Sequence, residues 1–288
     1  MIIVRLLGGM GNQMFQYAAG RRLSEHHGVP LKLDVHGFDT VQEVTPRKYE
    51  LNHFNVQQEF ALPEEVERLA MEGKSFLGRL STMLPYRFHS HLTERGEGFD
   101  SRLLNAGKNV YLEGWWGSER YFSDIQEIIR REFTVRYPME GLSVALADEI
   151  LSTTSVSVHV RRGDFASDPR TRSFHGLLPL EYYVVAADII AERVKRPHFL
   201  VFSDDPQWAH DHLALRHPVT FISHNGVETA YDDLRLMSLC RHHVIANSTF
   251  SWWGAWLNGA NDKLVIAPKR WLSRSTPPGL IPESWICL

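Results

Sequence analysis

From Ser155 to Ala267, short apolar runs alternate with segments of helical spacing. That alternation is the tightest constraint on the fold. The runs Ser155–Val160, Phe199–Ser203, Val219–Ser223, His243–Ala246 and Leu264–Ala267 read as buried strands. Helices are predicted at about Leu180–Lys195, Gln207–Leu213, Tyr231–Cys240 and Ser251–Leu257, with a long polar loop after the first strand. Strands joined through helical crossovers pair in parallel, so this half specifies a doubly wound sheet. The N-terminal end starts the same way. Strand Ile2–Leu7 breaks at Gly8, Gly9 and Gly11, and a helix follows from Asn12 to His27. Phe15, Ala18, Ala19 and Leu23 share one face of it, and Gly28 stands at the C-cap position. Leu31–Leu33 forms the next strand, ending at Asp34. Farther on, Pro63–Met71 has helical spacing and residues 74–98 have no period. Val110–Glu113 reads as a strand before the Gly114-Trp115-Trp116-Gly117 turn, and a helix is predicted over Ser118–Arg131. Tyr137-Pro138 and Gly141 punctuate the middle of the chain. The expected class is α/β, with two Rossmann-like domains, 1–138 and 139–288, facing a cleft.

Composition narrows the function classes. The 288 residues are 43% hydrophobic and 23% charged, enough to bury two cores. No apolar run reaches bilayer length, and MIIVRLLGG lacks the features of a signal peptide. Cys240 and Cys287 are the only cysteines, too few for a disulfide framework or a four-cysteine zinc site. A cytoplasmic location with no integral membrane segment is therefore expected. A net charge of −3 gives no electrostatic case for nucleic acid as a partner. No D-x-D triplet, H-E-x-x-H or P-loop lysine motif occurs, so neither a metal nor a cofactor is expected.

Four segments carry candidate chemistry. In Gly8-Gly9-Met10-Gly11-Asn12 the glycines let a ligand approach the backbone at a helix N-terminus. The dinucleotide fingerprint would need a glycine where Met14 stands, although Asp34 lies at about the distance of a ribose contact. In His159-Val160-Arg161-Arg162-Gly163-Asp164 two adjacent arginines sit at a strand end, where guanidinium forks suit phosphate oxygens and Asp164 can orient one of them. At Ser203-Asp204-Asp205-Pro206 a carboxylate can face a purine edge, or cap the next helix through Asp205 and Pro206. Asn247-Ser248-Thr249-Phe250-Ser251 groups amides and hydroxyls at a helix N-terminus, a phosphate-binding arrangement, and the tryptophans after it fall where they would pack on the sheet.

At these segments the chain resembles the α-1,2-fucosyltransferases of glycosyltransferase family 11. The resemblance runs through GGMGNQMFQYA near the start, YLEGWWGSERYF at 111–122, HVRRGDF at 159–165 and NSTFSWWGAWL at 247–257, and it covers nearly the whole chain. The family's usual GGLGNQ is GGMGNQ here. The resemblance implies a GT-B-type fold, with the N-terminal domain on the acceptor side and the C-terminal domain holding GDP-fucose. It implies metal-independent, inverting transfer of L-fucose to the 2-hydroxyl of a terminal β-galactoside, free or lipid-linked, by a bacterial-type enzyme without a membrane anchor. Arg161 and Arg162 would then meet the donor phosphates, together with Ser248, Thr249, Phe250 and Ser251 from the loop begun by Asn247. Asp204 or Asp205 would face guanine beside Ser203, and His159 would touch the nucleoside. Asn12 and Gly11 would reach the sugar or acceptor, with Trp115 and Trp116 in the acceptor pocket. Asp34 is the first candidate for the catalytic base and Glu113 the second, with a loop-bracing role for Asp34 left open. Two rivals stand beside this reading: a dinucleotide-dependent oxidoreductase, and a non-catalytic nucleotide- or glycan-binding module.

Overall fold

The computed structural model describes residues 1–40, 46–74, 85–96 and 98–288; part of the aperiodic stretch 74–98 thus lies outside the described residues. The chain forms two compact units, Met1–Thr134 with Pro277–Pro282, and Val135–Thr276 with Glu283–Leu288.

The first unit contains strands β1 (Ile2–Arg5), β2 (Leu31–Asp34), β3 (His91–Thr93) and β4 (Val110–Glu113), all parallel, in the order β2-β1-β4-β3. Ile2, Ile3 and Val4 are fully buried, as a strand covered on both faces requires. Helix α1 (Met10–His27) is buried on nearly every side, and its two buried glutamines bond to backbone groups. The Gln13 amide donates to the Gly8 and Lys48 carbonyls (2.9 and 2.8 Å) and accepts from the Glu50 N–H (2.9 Å), while Gln16 Oε1 accepts from the Leu7 N–H at 2.9 Å. Gly28 closes the helix in the left-handed region at φ 59°. Helix α2 spans Pro63–Lys74. The helix predicted over Ser118–Arg131 is broken. Two 3-10 turns, Glu119–Tyr121 and Ser123–Ile125, precede a short helix α3 (Gln126–Glu132). The consecutive aromatics Tyr121 and Phe122 are both buried in the core, which one continuous helix would point in divergent directions.

The second unit opens with a helix the sequence pattern did not reveal, α4 (Leu142–Ser152), before β5 (Thr154–Val160). The expected polar loop holds two short helices, α5 (Gly163–Ser167) and α6 (Pro169–His175). Asp168 starts the second, its Oδ1 accepting the Thr171 N–H at 2.6 Å. Helix α7 (Leu180–Arg193), β6 (Pro197–Ser203), α8 (Pro206–His212), β7 (Val219–Phe221), α9 (Ala230–Leu239), β8 (His242–Val244), α10 (Thr249–Leu257), β9 (Val265–Ala267) and β10 (Ile286–Cys287) follow. The sheet is parallel throughout, in the order β10-β9-β8-β5-β6-β7. Succession from β5 runs one way to β6 and β7, then returns to place β8 on the other side of β5. That reversal opens a crevice at the carboxyl ends of β5 and β8. Trp252, Trp253 and Trp256 of α10 are buried and pack on one another and on Trp285. Among the described residues no single helix is long and apolar enough to cross a membrane.

Both units are α/β, and the first has one buried ion pair that holds its helices together. Glu132 accepts from Arg21 Nε (3.0 Å) and from the Tyr17 hydroxyl (2.6 Å), with both charged side chains about nine-tenths buried. Removing one member strands the other. Glu132→Ala is expected to cost about 3–5 kcal/mol in urea unfolding, more than a neutral surface change by a wide margin.

Candidate active site

Parallel strands bring HVRRGD, SDDP and ANSTF to one edge of the second sheet, since β8, β5 and β6 are neighbours. There the two arginines part company. Arg161 is committed: its terminal nitrogens pair with Asp164 Oδ1 (2.6 Å) and Asp204 Oδ2 (2.7 Å), and its guanidinium lies over Phe165. Arg162 is not committed. Its guanidinium stacks on Trp208 at 3.5 Å from the ring centroid, its nearest carboxylate oxygen is Asp205 Oδ2 at 3.9 Å, and its buried Nε has no hydrogen-bond partner. A cation held flat on an indole with its donors unspent is poised for an anion.

The carboxylates of SDDP divide the work between them. Asp204 Oδ1 accepts the Arg162 N–H at 2.7 Å, and Asp205 caps α8 through the Trp208 N–H at 3.2 Å. The capping alternative therefore describes Asp205. Ser203 ties the two strand ends, its hydroxyl donating to the Val160 carbonyl at 2.8 Å. Asn247 is also structural: it is buried, and its amide donates to the carbonyls of His175 (3.0 Å) and Trp271 (3.1 Å).

Helix α10 faces the same crevice with its N-terminus. Ser248 sits at the N-cap position without a side-chain cap bond, followed by Thr249 in the first turn. The N–H groups of Phe250 and Ser251 have no partner among the described residues. Such a terminus carries partial positive charge and free donors. The His159 ring lies 5.6 Å from that of Phe250, and its buried Nδ1 has no partner. Burial, with Arg161 nearby, pushes the His159 imidazole down to about 3. Sequence reasoning missed Trp208. The signal was available: it stands three residues after Asp205 on the first turn of the capped helix.

In the first unit the remaining candidates line the carboxyl edge of the sheet. Gly11 and Asn12 lie in the first turn of α1, with Gly11 buried. Asp34 is buried, its Oδ2 accepting from the Tyr111 hydroxyl (2.8 Å) and its Oδ1 from the His36 N–H (3.1 Å), with His36 Nδ1 2.8 Å from Oδ1. This is the bracing arrangement, and it brings His36, half exposed, into view as a residue the sequence pattern did not mark. Glu113 pairs with Arg5 and with His91 Nε2, the latter at 3.1 Å. The two tryptophans separate: Trp115 is 52% exposed, whereas Trp116 is 1% exposed and belongs to the core. Among the described residues no group of three or more His, Cys, Asp or Glu is placed to hold a metal ion.

The family model of Glycosyl transferase family 11 matches residues 1–276. An α-1,2-colitosyltransferase of Escherichia coli is 33% identical over 99% of this chain and 98% of its own. The galactoside α-(1,2)-fucosyltransferase 1 of Mus musculus is 32% identical over 54% of this chain and 43% of its own. Among solved structures, a mutant of Arabidopsis thaliana FUT1 in complex with GDP superposes with a TM-score of 0.55 at 12% identity, covering 99% of this chain and 75% of that one. The chain belongs to glycosyltransferase family 11, and it has the two-unit α/β architecture of GT-B glycosyltransferases.

His159 supplies a test of this edge. Because its folded value lies below the unfolded value of 6.5, the unfolded chain binds the proton first as pH falls. Its contribution to stability is complete above about 6.5 and is lost as pH falls toward 3. An imidazole NMR titration should show the His159 signals unmoved from pH 8 to pH 5, where exposed histidines shift fully.

Proposed function

We propose that this family 11 glycosyltransferase moves L-fucose from GDP-fucose to the 2-hydroxyl of a terminal β-galactoside, with inversion and without a metal ion. The observation that carries the donor half is Arg162, whose guanidinium rests on Trp208 with its hydrogen-bonding capacity unspent, beside the uncapped N-terminus of α10. Departure of a nucleoside diphosphate builds negative charge on the β-phosphate while the sugar gains oxocarbenium character. Fixed positive charge aimed at that oxygen lowers the barrier, and without a D-x-D triplet the chain must supply it from arginine and backbone N–H groups. Arg162 and the N–H groups of Phe250 and Ser251 fill that role, with the hydroxyls of Ser248 and Thr249 on the same phosphates. Arg161, neutralised by Asp164 and Asp204, shapes the turn. The neutral His159 ring offers an uncharged nitrogen to the nucleoside, and Asp205 keeps an exposed edge for guanine.

The acceptor half rests on the first unit and on the α-1,2 linkage that both relatives' names share. The acceptor hydroxyl must lose a proton as the new bond forms. Asp34, with both oxygens spent, suits orienting His36 better than taking the proton itself. A second donor is favoured by one observation, the full-length similarity to a colitosyltransferase. Colitose is fucose without its 3-hydroxyl, so that reading changes the sugar and leaves the nucleotide site as it is.

Incubation with lactose and either GDP-fucose or GDP-colitose, with EDTA present, decides among these readings through GDP release and NMR assignment of the product linkage. A fucosylated 2-hydroxyl is expected; exclusive use of the colitose donor, or a requirement for Mg²⁺ or Mn²⁺, overturns the corresponding part. In the same assay Arg162→Ala is expected to lose about a hundredfold in kcat with the fold intact, and Arg162→Lys to stay impaired, because a point charge does not replace a fork. Asp34→Asn and His36→Gln should lower kcat together while leaving the KM for GDP-fucose unchanged. Loss confined to Asp34→Asn makes Asp34 the base, and a silent pair passes the test to Glu113→Gln.

A further inference from the structure

Glu94, one residue beyond β3, has no part in the donor chemistry, and its surroundings are unusual for a carboxylate. It is half-buried and has no cationic partner among the described residues. Burial raises its carboxyl above the ordinary glutamate value, although two N–H groups act against the rise. Those N–H groups belong to the tryptophan turn after β4: Oε2 accepts from Trp115 at 2.6 Å and Oε1 from Trp116 at 3.2 Å. The turn is built around this contact. A Cβ on Gly114 would stand 2.5 Å from the Glu94 Cβ, so only glycine lets the carboxylate reach both amides. Trp116 is held at φ 52°, a region that side chains with a Cβ rarely occupy, and its ring is sunk in the core, edge-on to Tyr121. Glu94 and the buried Trp116 ring thus fix the backbone on one side of Trp115, and they send its indole outward.

The outward indole is in ordered company. A Cβ on Gly8 would meet Trp115 Cζ3 at 3.1 Å and Asn12 Nδ2 at 2.7 Å, so the ring edge and the Asn12 amide flank Gly8, itself at φ 72°. Both lie where the strand order of the first sheet reverses, between β1 and β4, at its carboxyl edge. An exposed indole beside an amide suits a pyranose. The ring packs on the C–H face of the sugar, and the amide hydrogen-bonds to a hydroxyl at its rim. A β-galactoside presents such a face at carbons 3, 4 and 5.

We propose that Glu94 is a positioning residue that clamps the Trp115-Trp116 turn and so aims Trp115, beside Asn12, as the stacking platform for the acceptor galactoside. This rests on the acceptor half of the proposed function. Glu94 acts through Trp115 and touches no substrate. The clamp needs two acceptor oxygens. A glutamine offers one and turns an N–H₂ group toward the other amide, so Glu94→Gln keeps the side-chain size and loses the grip.

The test is a double-mutant cycle on the full chain, read as separate KM values for lactose and GDP-fucose, with tryptophan fluorescence during lactose titration. Trp115→Ala is expected to raise the lactose KM about tenfold. Glu94→Gln should raise it several-fold with the KM for GDP-fucose unchanged, and should weaken the lactose-induced fluorescence change. The double variant should be no worse than Trp115→Ala alone, because the clamp has nothing left to aim. Additive losses, a matching rise in the KM for GDP-fucose, or an unchanged lactose KM in Glu94→Gln would each overturn the proposal. Lactose binding seen by fluorescence without any transfer leaves the clamp standing and sinks the fucosyltransferase reading. Transfer with normal lactose KM values in both single variants does the reverse.

Discussion

The Asp204 carboxylate is the interaction on which the second unit's site depends. One oxygen takes the Arg162 N–H and the other takes Arg161, so a single side chain just past the end of β6 sets the course of the chain leaving β5. The fit leaves no slack. A Cβ on Gly163 would lie 2.4 Å from Asp204 Oδ2, and Gly163 itself sits at φ 21°. The effect is to sort two chemically identical neighbours. The first arginine is held by two carboxylates, and the second is turned onto Trp208 with its counter-charge, Asp205 Oδ2, as far as 3.9 Å away. Two free guanidinium groups at one strand end would repel each other. One tightly bound and one loosely paired gives a local positive charge whose position is fixed before any ligand arrives, which is the condition for electrostatic stabilisation without reorganisation.

Much of this was legible in the chain because parallel α/β folds tie sequence order to position. Once Ser155–Val160 and Phe199–Ser203 read as strands, the residues after them had to emerge at one edge, and so HVRRGD and SDDP had to be near neighbours. Asp205 followed by Pro206 already offered the cap, as one of two alternatives, that the structure takes. What stayed hidden were effects without sequence period. Nothing in Arg161-Arg162 says which one pairs with Asp164, since that choice is made by Asp204, 42 residues on. Trp115 and Trp116 looked alike until one positive φ sent the second into the core. Strand β3 is three residues long, too short to show alternation. The helix expected over Ser118–Arg131 failed because burying Tyr121 and Phe122 together outweighed local helix propensity.

The glycine turn after β1 illustrates how one pattern supports two readings until packing is known. A dinucleotide site requires a glycine at the position of Met14 so that helix and strand come close, and a free carboxylate at the end of β2 for a ribose. Met14 is fully buried in the core, and the Asp34 carboxylate is spent on Tyr111 and His36. Gln13 and Gln16 meanwhile bind the turn to its own surroundings. The turn is therefore rigid from within, and the oxidoreductase rival loses its physical footing along with its family support.

The segment Pro277–Pro282 belongs to the first unit, although the chain on either side of it belongs to the second. It is stitched in by the Ser118 hydroxyl, which donates to the Gly279 carbonyl at 2.6 Å, and by the Phe99 N–H on the Pro278 carbonyl at 3.0 Å. The chain then returns to lay β10 beside β9. The two halves are thus modular in space and not in the gene. A chimaera that swaps residues 1–134 for those of a relative keeps six residues of the old module, and a fragment cut after Thr134 lacks part of its own surface. Recombination by a single crossover is disfavoured in such a chain, so the first unit is altered more readily by point changes than by exchange of the whole unit.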